Sequence, residues 1–340
     1  MITSDFESKT LSQDLRYYSK FLVLATLFLV FAGSLVTSTE SGLSVPDWPL
    51  SYGMLFPPMV GGVFYEHGHR LIAASVGFFT IVLVVWLTLK EKRNWLKNLG
   101  YAALGVVITQ GVLGGLTVLF LLPKPISISH ALLGQTFFCI TIVVAYGLSR
   151  ERALRLATCS QKADEAHPLA NTALILTVFV YLQLLLGALM RHTHSGLAIY
   201  DFPTMAGQWW PSFNDAMLQL INSWRVDRML DPVTYTQVAI HLIHRIWALV
   251  VVVTTLVLSV KAFKTTKNSP TLWRHVMLLN GILILQVTLG IFTIWSGKAP
   301  YITSFHVVMG ALFLGLCVLL CLRTWPLQLK CCRSDVKTPS

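Results

Sequence analysis

The sequence predicts an all-α integral membrane protein: eight transmembrane helices arranged as two parallel, pseudo-two-fold-related four-helix bundles. Three observations carry this expectation. Of 340 residues, 54% are hydrophobic and only 12% charged, a balance outside the range of soluble globular chains. Eight apolar runs each approach the roughly 20 residues needed to cross a hydrocarbon core about 30 Å thick. Blocks of sequence from the first half also return, in order, in the second.

The runs cover about 21–38, 67–89, 99–122, 128–148, 170–190, 238–260, 275–296 and 302–322. Few show an amphipathic face, which argues against buried helices of a large soluble core. Lys and Arg set the orientation. With the N-terminus on the cytoplasmic side, 19 of the 26 cations fall in inner segments, among them Lys9, Lys90, Arg150, Lys162, Lys261, Lys267, Lys330, Arg333 and Lys337. Both termini are therefore expected inside. The net charge of +11 follows from this asymmetry and from anionic headgroups, with no need for a nucleic-acid partner. Asp5, Glu7 and Asp14 interrupt the first twenty residues, which therefore do not read as a signal peptide or an acid-poor transit peptide. The expected address is a bacterial plasma membrane. Cys139, Cys159, Cys317, Cys321, Cys331 and Cys332 all fall in helices or on the inner side, so no structural disulfide is expected.

Gly33-Ser34-Leu35-Val36 leads to Ser41-Gly42-Leu43 and Asp47-Trp48-Pro49; Gly187-Ala188-Leu189-Met190, Ser195-Gly196-Leu197 and Asp201-Phe202-Pro203 repeat this 154 residues later. Glu66-x-x-His69-Arg70 matches His241-x-x-His244-Arg245 at an offset of 175. Gln110-x-x-x-Gly114-x-x-Thr117 and His130 match Gln286-x-x-x-Gly290-x-x-Thr293 and His306 at 176. Each unit contains four spans, and an even number returns the chain to the same side, so the repeats are parallel rather than inverted. The expected division places residues 1–160 in an N-terminal bundle and 161–340 in a C-terminal one, joined by a basic inner loop closed by Pro168.

His69 and His130 are 61 residues apart, and His244 and His306 are 62 apart. All four are expected in about the first turn of a helix entering from outside, near the outer leaflet. A polar ring in a bilayer is costly without a partner, and neutral imidazole is a good ligand for haem iron. No thiolate set for an iron–sulfur centre is present, and the helices offer only Glu66 toward a di-iron carboxylate site. Two facing histidines per bundle, clamping one porphyrin iron, are the best remaining fit. The alternative is four helix-start residues bonded to loops, which the matched pattern disfavours.

Glu66 lies on the face of His69, where the second unit has His241. The functional reading makes Glu66 an acid–base group at a reacting centre; the plain one makes it a residue favoured by the helix dipole. Arg70 and Arg245 could hold haem propionates through paired hydrogen bonds or snorkel to headgroups, and Arg191 is a weaker candidate of the same kind. Gly111, Gly114, Gly115 and Gly290 read as close-packing positions, with Gln110 and Gln286 as interhelical hydrogen bonds. The two Asp-aromatic-Pro segments read as loop-shaping turns. His192 and His194 read as solvated loop residues rather than metal ligands, and His67, His167 and His275 receive no role.

Ser41-Gly42-Leu43-Ser44-x-Pro46-Asp47-Trp48-Pro49, Glu66-x-x-His69-Arg70, Gln110-Gly111-x-x-Gly114-x-x-Thr117, Leu122-Pro123 before His130, and their second-half echoes together resemble the haem A synthase family. The resemblance runs from about Gly33 to His306. It implies two pseudo-symmetric four-helix bundles and conversion of haem O to haem A for haem–copper oxidases, a porphyrin methyl becoming a formyl group by way of alcohol intermediates. It implies that His69 and His130, with Glu66 beside them, flank the substrate haem, and that His244 and His306 ligate a haem b that passes electrons. Implied partners are haem O, the enzyme supplying it and an electron donor; self-association is left open. Many bacterial members carry outer-loop cysteines where this chain has Val45, Ser51, Ile199 and Met205, so it would fall in a cysteine-free subgroup. The rival readings are a bis-histidine di-haem electron carrier, a transporter with parallel repeats, whose polar groups would sit at the midplane instead, and a haem carrier.

Overall fold

The structure, a computed structural model, describes residues 2–157, 167–266 and 269–325. Lys162, Lys267, Lys330, Arg333 and Lys337, together with Cys159, Cys331, Cys332 and the expected division at 160/161, lie outside them. The described chain forms α1 (Ile2–Ser38), α2 (Gly62–Lys90), α3 (Asn94–Leu119), α4 (Lys124–Gly147), α5 (Arg150–Ala157), α6 (Ala170–His192), α7 (Asp215–Val226), α8 (Tyr235–Thr265), α9 (Pro270–Trp295) and α10 (Pro300–Thr324). Among the described residues there is no strand, only the isolated bridges Ser51–Met54 and Met205–Gln208. Eight helices are long and apolar enough to cross a membrane: α1 from Gln13, α2, α3, α4, α6, α8, α9 and α10. The chain is an all-α, multi-pass membrane protein. Helices suit this setting because each satisfies its own backbone groups where no water can.

Local chemistry marks the helix ends. Prolines stand at the first or second position of α4, α9 and α10, where a missing N–H costs nothing. The Gln237 side chain accepts from the Thr234 N–H at 3.0 Å and closes the start of α8. Gly297 ends α9 with φ of 63°, a left-handed conformation that glycine adopts without strain.

Within the first half α1 packs on α2, α2 on α3, α3 on α4 and α4 back on α1; in the second, α6 packs on α8, α8 on α9, α9 on α10 and α10 on α6. Between the halves α4 meets α10, α1 meets α10 and α4 meets α6. This pattern is consistent with a pseudo-two-fold axis between α4 and α10. Small residues let helices approach there: a Cβ at Gly315 of α10 would fall 2.7 Å from Ile142 and 2.9 Å from Phe138 of α4. Buried leucines and valines fill each half, Leu22, Leu83, Leu87 and Leu96 in one and Leu176, Leu258, Leu279 and Leu314 in the other. On the face where α4 and α10 end, Arg323 makes a two-pronged ion pair with Glu151 of α5, at 2.8 and 2.7 Å.

Two elements depart from expectation. The segment between Pro203 and His241, which lies outside the eight apolar runs, contains α7. Asn214 caps it by accepting from the Met217 N–H at 2.9 Å. Its buried face, Met217 and Ile221, packs with Ile199, Val233, Val238 and Leu242. The membrane helices also begin earlier than the apolar runs. His69 is the eighth residue of α2, His130 the seventh of α4, His244 the tenth of α8 and His306 the seventh of α10. They therefore sit two to three turns inside, roughly 10 Å from the helix ends, rather than in the first turn.

Candidate functional site

Each of the four histidines projects onto a glycine of the preceding transmembrane helix. A Cβ added at Gly33 would stand 2.9 Å from His69 Cε1, at Gly114 3.3 Å from His130 Cε1, at Gly187 3.4 Å from His244 Cε1, and at Gly290 3.0 Å from His306 Cε1. The pairs occupy equivalent positions in the two repeats. Gly114 and Gly290 thus make room for an imidazole rather than for a second backbone, while Gly111 has nothing within 4 Å of a notional Cβ. His69 lies within electrostatic reach of His130, and His244 of His306, so each half brings its two rings to one end of its bundle. All four histidines are half-buried as residues.

Over each pair of rings lies a strap with the same internal bonding. Asp47 Oδ1 accepts from the Tyr52 N–H at 2.7 Å and Oδ2 from Gly53 at 2.8 Å. Asp201 takes the amides of Ala206 and Gly207, at 2.7 and 2.9 Å, and the Thr204 hydroxyl at 2.6 Å. The Gly53 amide above all, with Tyr52, holds the Asp47 carboxyl below its usual pKa. At Asp201, burial opposes ionisation, but the Thr204 hydroxyl and the two amides outweigh it and the pKa is again lowered. Trp48 rests on Gly115 of α3, where a Cβ would come within 2.6 Å of its ring.

The arginines tie the straps to the histidine helices. Arg70 Nη1 donates to the carbonyls of Asp47 (2.8 Å) and Leu50 (2.9 Å), and Nη2 to Glu66 at 2.7 Å. Arg245 donates to the equivalent carbonyls, Asp201 at 2.7 Å and Thr204 at 3.1 Å. These loop carbonyls, not a free face, occupy most of each guanidinium fork. Glu66, 4% exposed, accepts from Arg70 and from the Val45 N–H at 2.9 Å. In the second half His241 faces the matching residues, though through a different arginine nitrogen: Ile199 N lies 3.2 Å from its Nδ1, and Arg245 Nε 3.2 Å from its Nε2. Carboxylate and imidazole therefore hold the same two partners, Val45 or Ile199 and Arg70 or Arg245.

The remaining candidates scatter. Arg191 reaches across to α1, donating to the Ser34 carbonyl at 2.6 Å and the Ser38 hydroxyl at 2.9 Å. Ser304 of α10 donates to the same Ser38 hydroxyl, so these residues join the halves. His192 closes α6 rather than lying in the loop; His194 follows it with φ of 55°. Among the described residues no three His, Cys, Asp or Glu side chains converge as for a bare metal ion. His275 lies at the opposite end of the second half, between Arg323 and the Leu316 carbonyl. Two features went unseen in the sequence. Ser51 and His67 form a buried pair at 2.7 Å in the first strap. Gln183 of α6 places its amide nitrogen 3.2 Å from His244 Nε2 and 3.3 Å from Nδ1. A third Gln-x-x-x-Gly, Gln183 to Gly187, was the available signal.

A profile of the COX15-CtaA family, described as cytochrome oxidase assembly protein, matches residues 16–318. The chain belongs to that family. Its relatives include proteins named heme A synthase. The one from Halalkalibacterium halodurans is 26% identical over 322 residues, covering 90% of this chain and 95% of the relative. Those from Novosphingobium aromaticivorans and Shewanella oneidensis are each 27% identical, over 334 and 301 residues, covering 87% and 82% of this chain and 89% and 86% of the relatives. Val45 and Ser51 are both fully buried and braced without covalent bonds, by Glu66 and His67 respectively.

Proposed function

We propose that this chain is a haem A synthase, a membrane-bound oxidoreductase converting a methyl group of haem O to a formyl group. The observation that supports it most directly is the set of two imidazole pairs, one per bundle, each ring seated on a glycine, in a chain of this family. The residues suit haem. Buried His69 Nδ1 and His130 Nδ1 have no hydrogen-bond partner, and bis-imidazole ligation needs no further protein donor.

In this reading His69 and His130, in the bundle of residues 1–160, flank the substrate haem O, and His244 and His306, in the bundle of residues 161–340, ligate a haem b. A bound haem b supplies one-electron chemistry. The protein's own contribution is positional. The glycines set the depth of the rings, and Arg70 and Arg245 pin the straps over them. Glu66 belongs to the reacting end, where it keeps Arg70 and the Val45 amide in place beside His69. The membrane is the bacterial plasma membrane with both termini cytoplasmic, and haem O, its synthase and an electron donor are the partners.

The test is pigment extraction from cells expressing the chain with a source of haem O. Haem A, or hydroxylated haem O, is the expected product, and His69→Ala or His130→Ala should abolish it while leaving haem b bound. One observation favours a second reading, the di-haem electron carrier: Glu66 and His241 hold equivalent residues, so their difference alone does not mark an enzyme. Haem b alone in the extract would select that reading and overturn the first.

A further inference from the structure

Three of the four histidines face a helix bearing Gln-x-x-x-Gly, and the fourth does not. Gln110 precedes Gly114 opposite His130, Gln183 precedes Gly187 opposite His244, and Gln286 precedes Gly290 opposite His306. Opposite His69 the matching pair is Leu29 and Gly33, 154 residues before Gln183 and Gly187. Residues four apart on a helix share a face, so Leu29 stands where an amide stands in the other three.

The consequences at the rings differ between the halves. His306 Nδ1 lies 3.1 Å from the Gln286 carbonyl, an acceptor for its N–H. The Gln183 amide nitrogen lies 3.2 to 3.3 Å from both nitrogens of His244 and 3.2 Å from its carbonyl, while Gln183 Oε1 is buried without a partner. In the first half Gln110 spends its amide on the His130 carbonyl at 3.0 Å. Leu29 packs into the apolar core, and Nδ1 of both His69 and His130 is left unpartnered. His306 Nδ1 therefore has an acceptor in the Gln286 main-chain carbonyl, His244 Nδ1 has the Gln183 side-chain amide in reach through its nitrogen, and neither Nδ1 of the first half has a partner.

An imidazole that ligates iron through Nε2 carries its proton on Nδ1, and an acceptor there fixes ring and tautomer and makes the ligand more basic. An amide N–H cannot accept. Turning the Gln183 amide about its last bond brings Oε1 to that place and gives the stranded oxygen its partner, in exchange for the 3.2 Å bond from its nitrogen to the His244 carbonyl. Resting on the reading of the two haem sites above, we infer that Gln183 and Leu29, at equivalent positions, decide which half keeps its haem. Gln183 braces His244 for a resident haem, and Leu29 leaves His69 unbraced as the ligand that lets a haem come and go.

The test uses the purified full-length chain loaded with haem. Dissociation from each half is followed into excess apomyoglobin, together with the midpoint potential and the low-spin EPR signature. Outer-shell partners of metal-ligating histidines typically contribute about 10–100-fold in affinity. Gln183→Leu should speed release from the second half by about that factor and raise its potential, since a less basic ligand stabilises ferric iron less. Gln183→Glu, which keeps an acceptor, should restore slow release. Leu29→Gln should slow release from the first half by about tenfold. Should Leu29→Gln not accumulate, the two Gln183 variants decide alone. A release rate of Gln183→Leu within about twofold of the parent, with its midpoint potential unchanged and haem held in the second half, would overturn this inference and leave the proposed function standing. A parent chain that binds no haem in its second half would remove both.

Discussion

Replacing Gly33 by alanine tests whether the glycines are seats for the histidines. The new methyl carbon would stand 2.9 Å from His69 Cε1, whereas carbons in contact settle at about 3.5–4.0 Å. The α1 backbone is held on both sides by α2 and α10, so the imidazole must give by roughly 0.6–1 Å. Overpacking of this kind costs about 1–3 kcal/mol, and a displacement of about 1 Å at a reacting group can cost about 10²-fold in rate. Gly290→Ala, at 3.0 Å from His306 Cε1, should disturb the second half comparably. Gly187→Ala, at 3.4 Å from His244, is nearly ordinary contact and should keep most of its haem. Gly111→Ala, with nothing within 4 Å, is the control. The assay is haem content per protein by pyridine haemochrome, with haem A measured by extraction and chromatography. Gly33→Ala should lose product, with haem b retained, while Gly290→Ala should lose haem b. Indistinguishable behaviour of Gly33→Ala and Gly111→Ala would refute the reasoning.

Further outcomes follow from the straps and the loops. Glu66→Gln keeps an acceptor for the Val45 amide but loses the ion pair with Arg70, so turnover should fall more than haem content; unaltered turnover in purified protein removes Glu66 from the mechanism. His241→Glu should raise thermal stability in detergent, because a neutral imidazole has one lone pair for the two donors that face it, Ile199 N and Arg245 Nε, where a carboxylate takes both. A lower melting temperature would count against the equivalence of the two straps. Gly115→Ala should lift Trp48 off α3 and increase proteolytic nicking of the first strap relative to the second. Arg93, bonding Glu91 between α2 and α3, lowers that carboxyl from 4.5 to about 2. The stabilisation it brings is complete above about pH 4.5 and lost as pH falls toward 2. Glu91→Gln should flatten the melting temperature over that window, and a parent-like slope would exclude the pair as its source.

Most of the fold was legible because a membrane helix is written in a single long signal, the unbroken apolar run. The repeat added the pairing of elements, since Asp47 and Asp201, or His69 and His244, could be matched by offset alone. What escaped were features whose meaning depends on a neighbour distant in sequence. Gly114 shows only that space is wanted, and not that an imidazole from α4 fills it. The sequence offered propionates or headgroups as partners for the guanidiniums of Arg70 and Arg245 and gave no sign of the carbonyls, about twenty and forty residues back, that their donors also reach. The strap residues Val45 and Ile199 carry no chemical signal, because they act through the main chain. The helix α7 was missed for a different reason: twelve residues with a polar face, inside a loop rich in Pro, Asp and Asn, give too short a period to stand out. The early start of α8 had the same origin, as Tyr235-Thr236-Gln237 open it on residues too polar to count toward a span, whereas at α2 the polar Glu66-His67 pair separated Val63, Phe64 and Tyr65 from the run that follows.

The helices that carry His130 and His306 stand back to back, α4 against α10. One ring from each bundle is thus mounted on a common wall, one helix pair thick, with axes about 8–10 Å apart. Charge can cross such a partition through protein, without a diffusing shuttle, and neither compartment can swell without pressing on the other. An added methyl at Gly315, where α10 meets Ile142 and Phe138, would push that wall from the inside, and both chambers should register the same blow.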